Sequence, residues 1–274
     1  MKKYDLEAID VHAHYGQYLV KDSIQKKILS ASLSGVCKRA KASGTSLTIV
    51  SPLSAFFPEP GNPIAANTKA IGEIRNRREF LLWIVVNPLA PETFEQAETF
   101  IQNDFVAGIK IHPLIHNWPI KQFGTRIFEF ATKYKLVIQS HSGQKNCMPE
   151  DFVDFANEFP EVKIIISHLG CSDSTSLTLQ IKAIMKSKNN NLYTDTSSFR
   201  SIFPGLIEMA VKEIGAERIL YGTDSPLYFA PCQRARIDHA EISQQDKDLI
   251  LRKNAINLFG DKIVKRLIKK DICW

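Results

Sequence analysis

The stretch AIDVHAH, residues 8–14, alternates apolar and polar positions and ends on a histidine. Strict alternation over a short run marks a strand whose two faces meet different surroundings. Seven further runs rich in β-branched residues follow it. They are SLTIVS (46–51), LLWIVVN (81–87), GIKIH (108–112), LVIQSH (136–141), KIIISH (163–168), NLYTD (191–195) and RILYGTD (218–224). Each stops at a polar or small residue before a loop, and eight is the number of strands a closed (β/α)₈ barrel requires.

Segments of helical periodicity lie between these runs. Ile24, Ile28 and Leu29 precede Gly44, and Phe152, Val153, Phe155 and Ala156 precede Pro160. The other intervals run from Ile64 to Arg78, Glu92 to Asp104, Phe123 to Lys135, Leu177 to Lys186 and Leu206 to Ala216, and a last helix follows Gln244. Strands alternating with helices build parallel βαβ units. No linker or shift of composition divides the 274 residues, so the reading is an α/β TIM barrel forming a single domain over residues 1–274. Two stretches break the pattern on the strand-to-helix side, Pro52 to Pro63 and Pro113 to Pro119. Active sites of barrels are built on that side. Phe56, Phe57 and Trp118 there either cover a substrate or pack their own loops.

Composition narrows the function classes. The chain is 44% hydrophobic and 23% charged, as an ordinary globular protein is. Its net charge of +6 sits largely in Lys26-Lys27, Lys38 to Lys41, Arg75 to Arg78 and Lys262 to Lys270. These fall at helical spacing and read as solvated outer faces, with no motif for nucleic acid. Cys37, Cys147, Cys171, Cys232 and Cys273 form neither a CxxC pair nor an even set, which suits a reducing compartment. No apolar run reaches the length of a signal peptide core or of the ~20 residues needed to span a membrane. The expectation is a cytoplasmic protein whose partner is a small-molecule substrate, with neither nucleic acid nor membrane and with room for a homo-oligomer.

Five of the seven histidines lie in or at the end of the strand runs: His12, His14, His112, His141 and His168. Side chains two apart on a strand share a face, so His12 and His14 point the same way and can bind one ion. Asp224 ends the eighth run at the same rim. One strand histidine alone is more often structural; the set together points to a divalent metal, and imidazole with carboxylate suits zinc. His116 and His239 read as ordinary surface histidines. Asp195 reads equally as an acceptor for a ligand histidine or as a turn residue.

With these pieces in place the sequence resembles the amidohydrolase superfamily, in the branch holding metal-dependent hydrolases and nonoxidative decarboxylases. The matching pieces are IDVHAH (9–14), GIKIHP (108–113), QSHSG (139–143), ISHLG (166–170), YGTDSP (221–226) and NAINLFG (254–260). The resemblance implies one or two divalent ions, most naturally zinc, held by His12, His14, His141 and Asp224, with His168 a further ligand or a base. Asp224 and His168 would be catalytic, and Lys110 and His112 would face the substrate. In two-metal members a carboxylated lysine on the fourth strand bridges the ions. Lys110 stands on that strand, and either that modification or a salt bridge to Asp10 would satisfy a lysine in the barrel interior.

The first reading of function is hydrolysis of a small amide, lactone or ester by a metal-activated water, with Asp224 moving the proton. The alternative is nonoxidative decarboxylation of an aromatic or unsaturated acid, with Arg200 or Arg236 as the cation for the carboxylate. A third, of another class, is a metal-containing barrel without catalysis.

Overall fold

Strands linked through helices must run parallel, and parallel strands covered by helices are apolar throughout. The computed structural model, which describes residues 4–173, 176–198 and 202–268, has that architecture. Its strands are β1 (Ala8–Tyr15), β2 (Thr45–Pro52), β3 (Phe80–Val85), β4 (Val106–Ile111), β5 (Val137–Ser140), β6 (Lys163–Ile166), β7 (Leu192–Asp195) and β8 (Ile219–Leu220). They form one eight-stranded sheet in sequence order, every pairing parallel. The segment after β8 closes the ring onto β1. Val11 N donates to Tyr221 O at 2.9 Å, His14 N to Ser225 O at 2.6 Å, and Asp224 N to His12 O at 2.7 Å.

Ile49, Leu81, Ile84, Ile109, Ile138 and Ile164 are fully buried in the continuous core between sheet and helices. Each such side chain contributes roughly 1.5–3 kcal/mol of transfer free energy. The longest helix, Ile120–Tyr134, shows how the outer layer is made. It turns Ile127, Phe128 and Ala131 inward and ends where Lys135 takes a left-handed φ of 53°.

The first β-to-α segment departs from the periodicity read in the sequence. It holds two helices, Ser23–Leu29 and Leu33–Ala42, and the second packs through Leu33, Val36 and Ala40. Ile24 and Ile28 are 69% and 62% exposed, so their spacing does not mark a core face.

On β4 the missing side chain of Gly108 makes room for the interior. A Cβ there would lie 2.2 Å from Val137 O and 3.0 Å from the Trp83 ring. The Trp83 indole reaches from β3 to β1 and donates its Nε1–H to Val11 O at 2.9 Å. Above that layer the interior becomes polar, and the site begins.

Candidate active site

Alternation along β1 turns Asp10, His12 and His14 to the interior, and all three are buried. His112 and His141 directly follow β4 and β5, His168 lies just beyond β6, and Asp224 follows β8. All seven predicted site residues, His12, His14, Lys110, His112, His141, His168 and Asp224, line one pocket of about 280 Å³. His168 and Asp224 hold left-handed backbone at φ 72° and 54°. Such conformations are rare outside glycine and collect at functional sites.

Asp224 Oδ1 stands 3.1 Å from His14 Nε2 and 3.6 Å from His12 Nε2. It is buried and makes no hydrogen bond among the described residues. The three side chains place their ligand atoms within 4.8 Å of one another. His12, His168 and Asp195 form a second such group. His141 belongs to neither, but its Nδ1 is 3.0 Å from His168 Nε2.

The network fixes which ring nitrogens are bare. His12 Nδ1 is 3.0 Å from Asp195 Oδ2, and His168 Nδ1 is 2.7 Å from Ser197 O. Carboxylate and carbonyl oxygens only accept, so both Nδ1 atoms carry the proton and both Nε2 atoms are bare, that of His168 facing His141 and that of His12 facing the Lys110 ammonium. Gln144 Nε2 donates to Asp173 Oδ1, which turns its Oε1 to His141 Nε2 at 2.8 Å. His141 therefore donates from Nε2, and its bare Nδ1 faces the bare Nε2 of His168. Two lone pairs at that separation repel unless a cation, metal or proton, lies with them. An orphaned carboxylate oxygen, inward imidazole lone pairs and a hydrogen-bonded partner behind His12 are what a divalent ion requires. The residues present fit a metal.

Electrostatics agree. Burial pushes His12 down to about 3, aided by the Lys110 ammonium and opposed by Asp195 and Asp224. Burial likewise lowers His14, and with neighbouring histidines it lowers His112 and His141 well below the ordinary value. Neutral imidazole is the ligand form. Burial alone would raise Asp195 and Asp224, but the histidines beside them outweigh it and hold both carboxyls low and ionised.

Lys110 is 1% exposed and makes no ion pair among the described residues. Its Nζ lies 3.1 Å from His12 Nε2 and donates to Gln139 Oε1, its cross-strand neighbour, at 3.2 Å. The anticipated salt bridge to Asp10 does not form. Asp10 instead accepts from His12 N, Thr223 N and Thr223 Oγ1, tying β1 to the loop after β8, and burial raises it to about 7. Burial lowers Lys110 to about 8, against the pull of Asp195 and Asp224.

The loops furnish the walls. The turn Leu53–Ala55 directs Phe56 inward, where its ring sits 5.6 Å from His14 and 5.3 Å from His112. Phe57 lines the pocket beside Tyr18, their rings 4.4 Å apart. Trp118 follows the other reading: it is fully buried against Phe123 and lines no part of the pocket. His112 stacks on His141, rings 4.3 Å apart and 11° from parallel.

Three expectations need correction or limit. His116 is 3% exposed, not a surface residue, because the loop folds under and its Nε2 lies 3.1 Å from Ala55 O. Arg236 does not reach the pocket; its guanidinium donates to Thr196 O and Gln233 Oε1. Arg200 lies outside the described residues. Two residues missed as site builders are Gln139 and Ser197. Gln139 on β5 stands two residues before His141, which was the available signal, whereas nothing in the local sequence marks Ser197.

A family model described as Amidohydrolase matches residues 61–260. No curated protein matches the sequence. Among solved structures, the fold is similar to 2,6-dihydroxybenzoate decarboxylase from Rhizobium, at 16% identity and TM-score 0.67 over 92% of this chain and 98% of that one. It is also similar to dihydroxybenzoic acid decarboxylase from a Polaromonas species with bound manganese and the inhibitor 2-nitroresorcinol, at 15% identity and TM-score 0.69 over 95% and 99%. A third is 5-carboxyvanillate decarboxylase from Novosphingobium aromaticivorans complexed with manganese, at 12% identity and TM-score 0.69 over 93% and 96%. Identities this low establish a common fold. Among the described residues no helix is long and apolar enough to cross a membrane.

Proposed function

This chain belongs to the amidohydrolase family, and on that premise we propose that it removes carbon dioxide, without an oxidant, from an aromatic or unsaturated carboxylic acid. The observation that carries the reading is the pairing of a cation-binding histidine and aspartate cluster with one buried ammonium, Lys110, beneath an aromatic wall. The three solved decarboxylases of similar fold support it. So does the pocket, whose size lies at the small end of ligand sites and suits a single ring.

His12, His14 and Asp224 would hold the ion, with His141 and His168 beside it. The histidine-rich set suits zinc, while manganese is the ion in two of the similar structures. When bound, the metal supplies a Lewis acid that anchors substrate oxygens and draws electron density from the ring. Lys110 neutralises the carboxylate, the role first given to Arg200 or Arg236. Phe56 and Phe57 exclude water, which favours departure of neutral carbon dioxide from a charged acid. As the carbon–carbon bond breaks, its electron pair stays on the ring carbon. A proton held between His141 Nδ1 and His168 Nε2 then goes to that carbon.

A second reading is hydrolysis of a small amide, lactone or ester. It is favoured by Asp224 Oδ1, a pocket-lining carboxylate oxygen beside His14 that can take a proton from an attacking water.

Headspace carbon dioxide, measured from a panel of hydroxybenzoic and unsaturated acids with Mn²⁺ or Zn²⁺ added, separates the two. Release from an acid, abolished in Lys110→Met, is the expected result. Turnover of amides or lactones with no release from any acid would transfer the assignment to hydrolysis.

A further inference from the structure

The residues that leave β7, Thr196 to Ser198, carry a hydroxyl with an unusual position. Ser197 Oγ stands 2.9 Å from His12 Nδ1 and 2.9 Å from His168 Nδ1, and it also contacts Asp195 Oδ1. One hydroxyl thus touches the outward nitrogens of two candidate ligand histidines. The backbone carbonyls on either side of it are both tied to one helix, Ala230–Asp238. Gln233 Nε2 donates to Ser198 O at 3.0 Å, and Arg236 Nη1 donates to Thr196 O at 2.7 Å. Arg236 Nη1 also donates to Gln233 Oε1 at 2.6 Å. That last bond sets the amide's orientation, because only the oxygen can face a guanidinium. Gln233 is 1% exposed, and neither side chain lines the pocket.

The held segment does not rest in a backbone conformation that it would favour by itself. Ser198 sits at φ 153°, a conformation that L side chains rarely adopt and that surrounding contacts must enforce. A shift of the segment would lengthen both Ser197 contacts together.

We propose that Gln233 and Arg236 are positioning residues, a clamp on the Thr196 and Ser198 carbonyls that holds Ser197 where its carbonyl and hydroxyl oxygens keep His168 protonated on Nδ1 and, together with Asp195, keep His12 so, with Nε2 turned to the pocket. Their effect passes through Ser197, in the way groups behind ligand histidines set tautomer and ring orientation.

The test uses the full chain with histidine ring nitrogens labelled, stripped of metal by chelator and then titrated with Mn²⁺. In the wild type, two-bond proton–nitrogen spectra of the stripped protein should show His12 and His168 with the proton on Nδ1. In Gln233→Leu and Arg236→Met these two rings should become mixtures of tautomers, and Mn²⁺ affinity should fall about 10- to 100-fold. Arg236→Lys, which keeps a donor toward Thr196 O, should restore most of that loss. In a Ser197→Ala background, which loses the hydroxyl but keeps the carbonyl, Gln233→Leu should lower affinity by a smaller factor than it does in the wild type, because part of what it acts through is gone. Unchanged tautomers in a folded Gln233→Leu or Arg236→Met protein would overturn the clamp, as would full additivity with Ser197→Ala. If Gln233→Leu does not fold, the contrast between Arg236→Met and Arg236→Lys decides. The inference rests on the metal-site reading only for its affinity readout. A wild type that binds no Mn²⁺ would sink that reading while the ring spectra still judge the clamp.

Discussion

Replacing Asp195 by asparagine should weaken metal binding without dismantling the barrel. Asp195 Oδ2 accepts from His12 Nδ1 at 3.0 Å and Gln139 Nε2 at 3.3 Å, while Oδ1 accepts from His168 N and Ser197 N, each at 3.1 Å. An amide keeps one oxygen. If its nitrogen takes the Oδ1 position, two buried backbone donors lose their acceptor; if it takes the Oδ2 position, the donors are His12 and Gln139. Each donor left without an acceptor costs about 1–3 kcal/mol, so two would cost roughly 2–6 kcal/mol. His12 can relieve part of this by moving its proton to Nε2 and accepting at Nδ1. That relief removes the lone pair a metal needs. Mn²⁺ affinity should therefore fall about 100-fold, or ~2.7 kcal/mol, the upper end of what partners behind ligand histidines contribute. Isothermal titration of stripped wild type and Asp195→Asn, with thermal melts beside it, measures both effects. Affinity within about threefold of wild type in a folded variant would refute the tautomer argument, since ~0.65 kcal/mol is too little for a lost ligand.

Acid should destabilise the metal-free protein. His12 is lowered to about 3, and His14, His112 and His141 are lowered too, each by burial first. The unfolded chain takes up these protons near 6.5 while the folded chain resists, so stability falls with pH by ~1.4 kcal/mol per unit for each proton taken up. Asp10, raised to about 7, acts in the opposite sense below neutrality, but it is one group against four. Urea midpoints at pH 7.5 and 5.5 should show the drop, and an equal or higher midpoint at 5.5 would contradict it. Gly108→Ala should destabilise by about 1–3 kcal/mol or more, because its Cβ would meet the Val137 carbonyl at 2.2 Å and backbone cannot step aside. A melting temperature unchanged from wild type would count against that account. Chelation should leave far-ultraviolet dichroism and a cooperative melt in place, since the core between sheet and helices owes nothing to the site. Loss of the fold on chelation would instead favour a structural metal.

What residue order alone determined is whatever depends on local period. Alternation marked the strands, put His12 and His14 on one face, and placed Lys110 in the barrel interior. The ends of the runs located His112, His141, His168 and Asp224 at one rim, because parallel strands all finish on the same side. The tertiary structure decided what depends on distant strands meeting. Asp195 lies 183 residues from His12 and hydrogen-bonds to it because barrel closure, with β8 set between β7 and β1, turns the end of β7 toward β1 across the interior. Closure also gave Asp10 to Thr223 instead of Lys110, 213 residues apart in the chain. Ser197 and Gln139 acquired their roles in the same way, and His116 was buried by a loop fold that no periodicity encodes. Side-chain direction follows from a two-residue repeat, but the identity of a partner follows from strand tilt and register around the whole ring. Neither quantity is written in any short stretch of sequence.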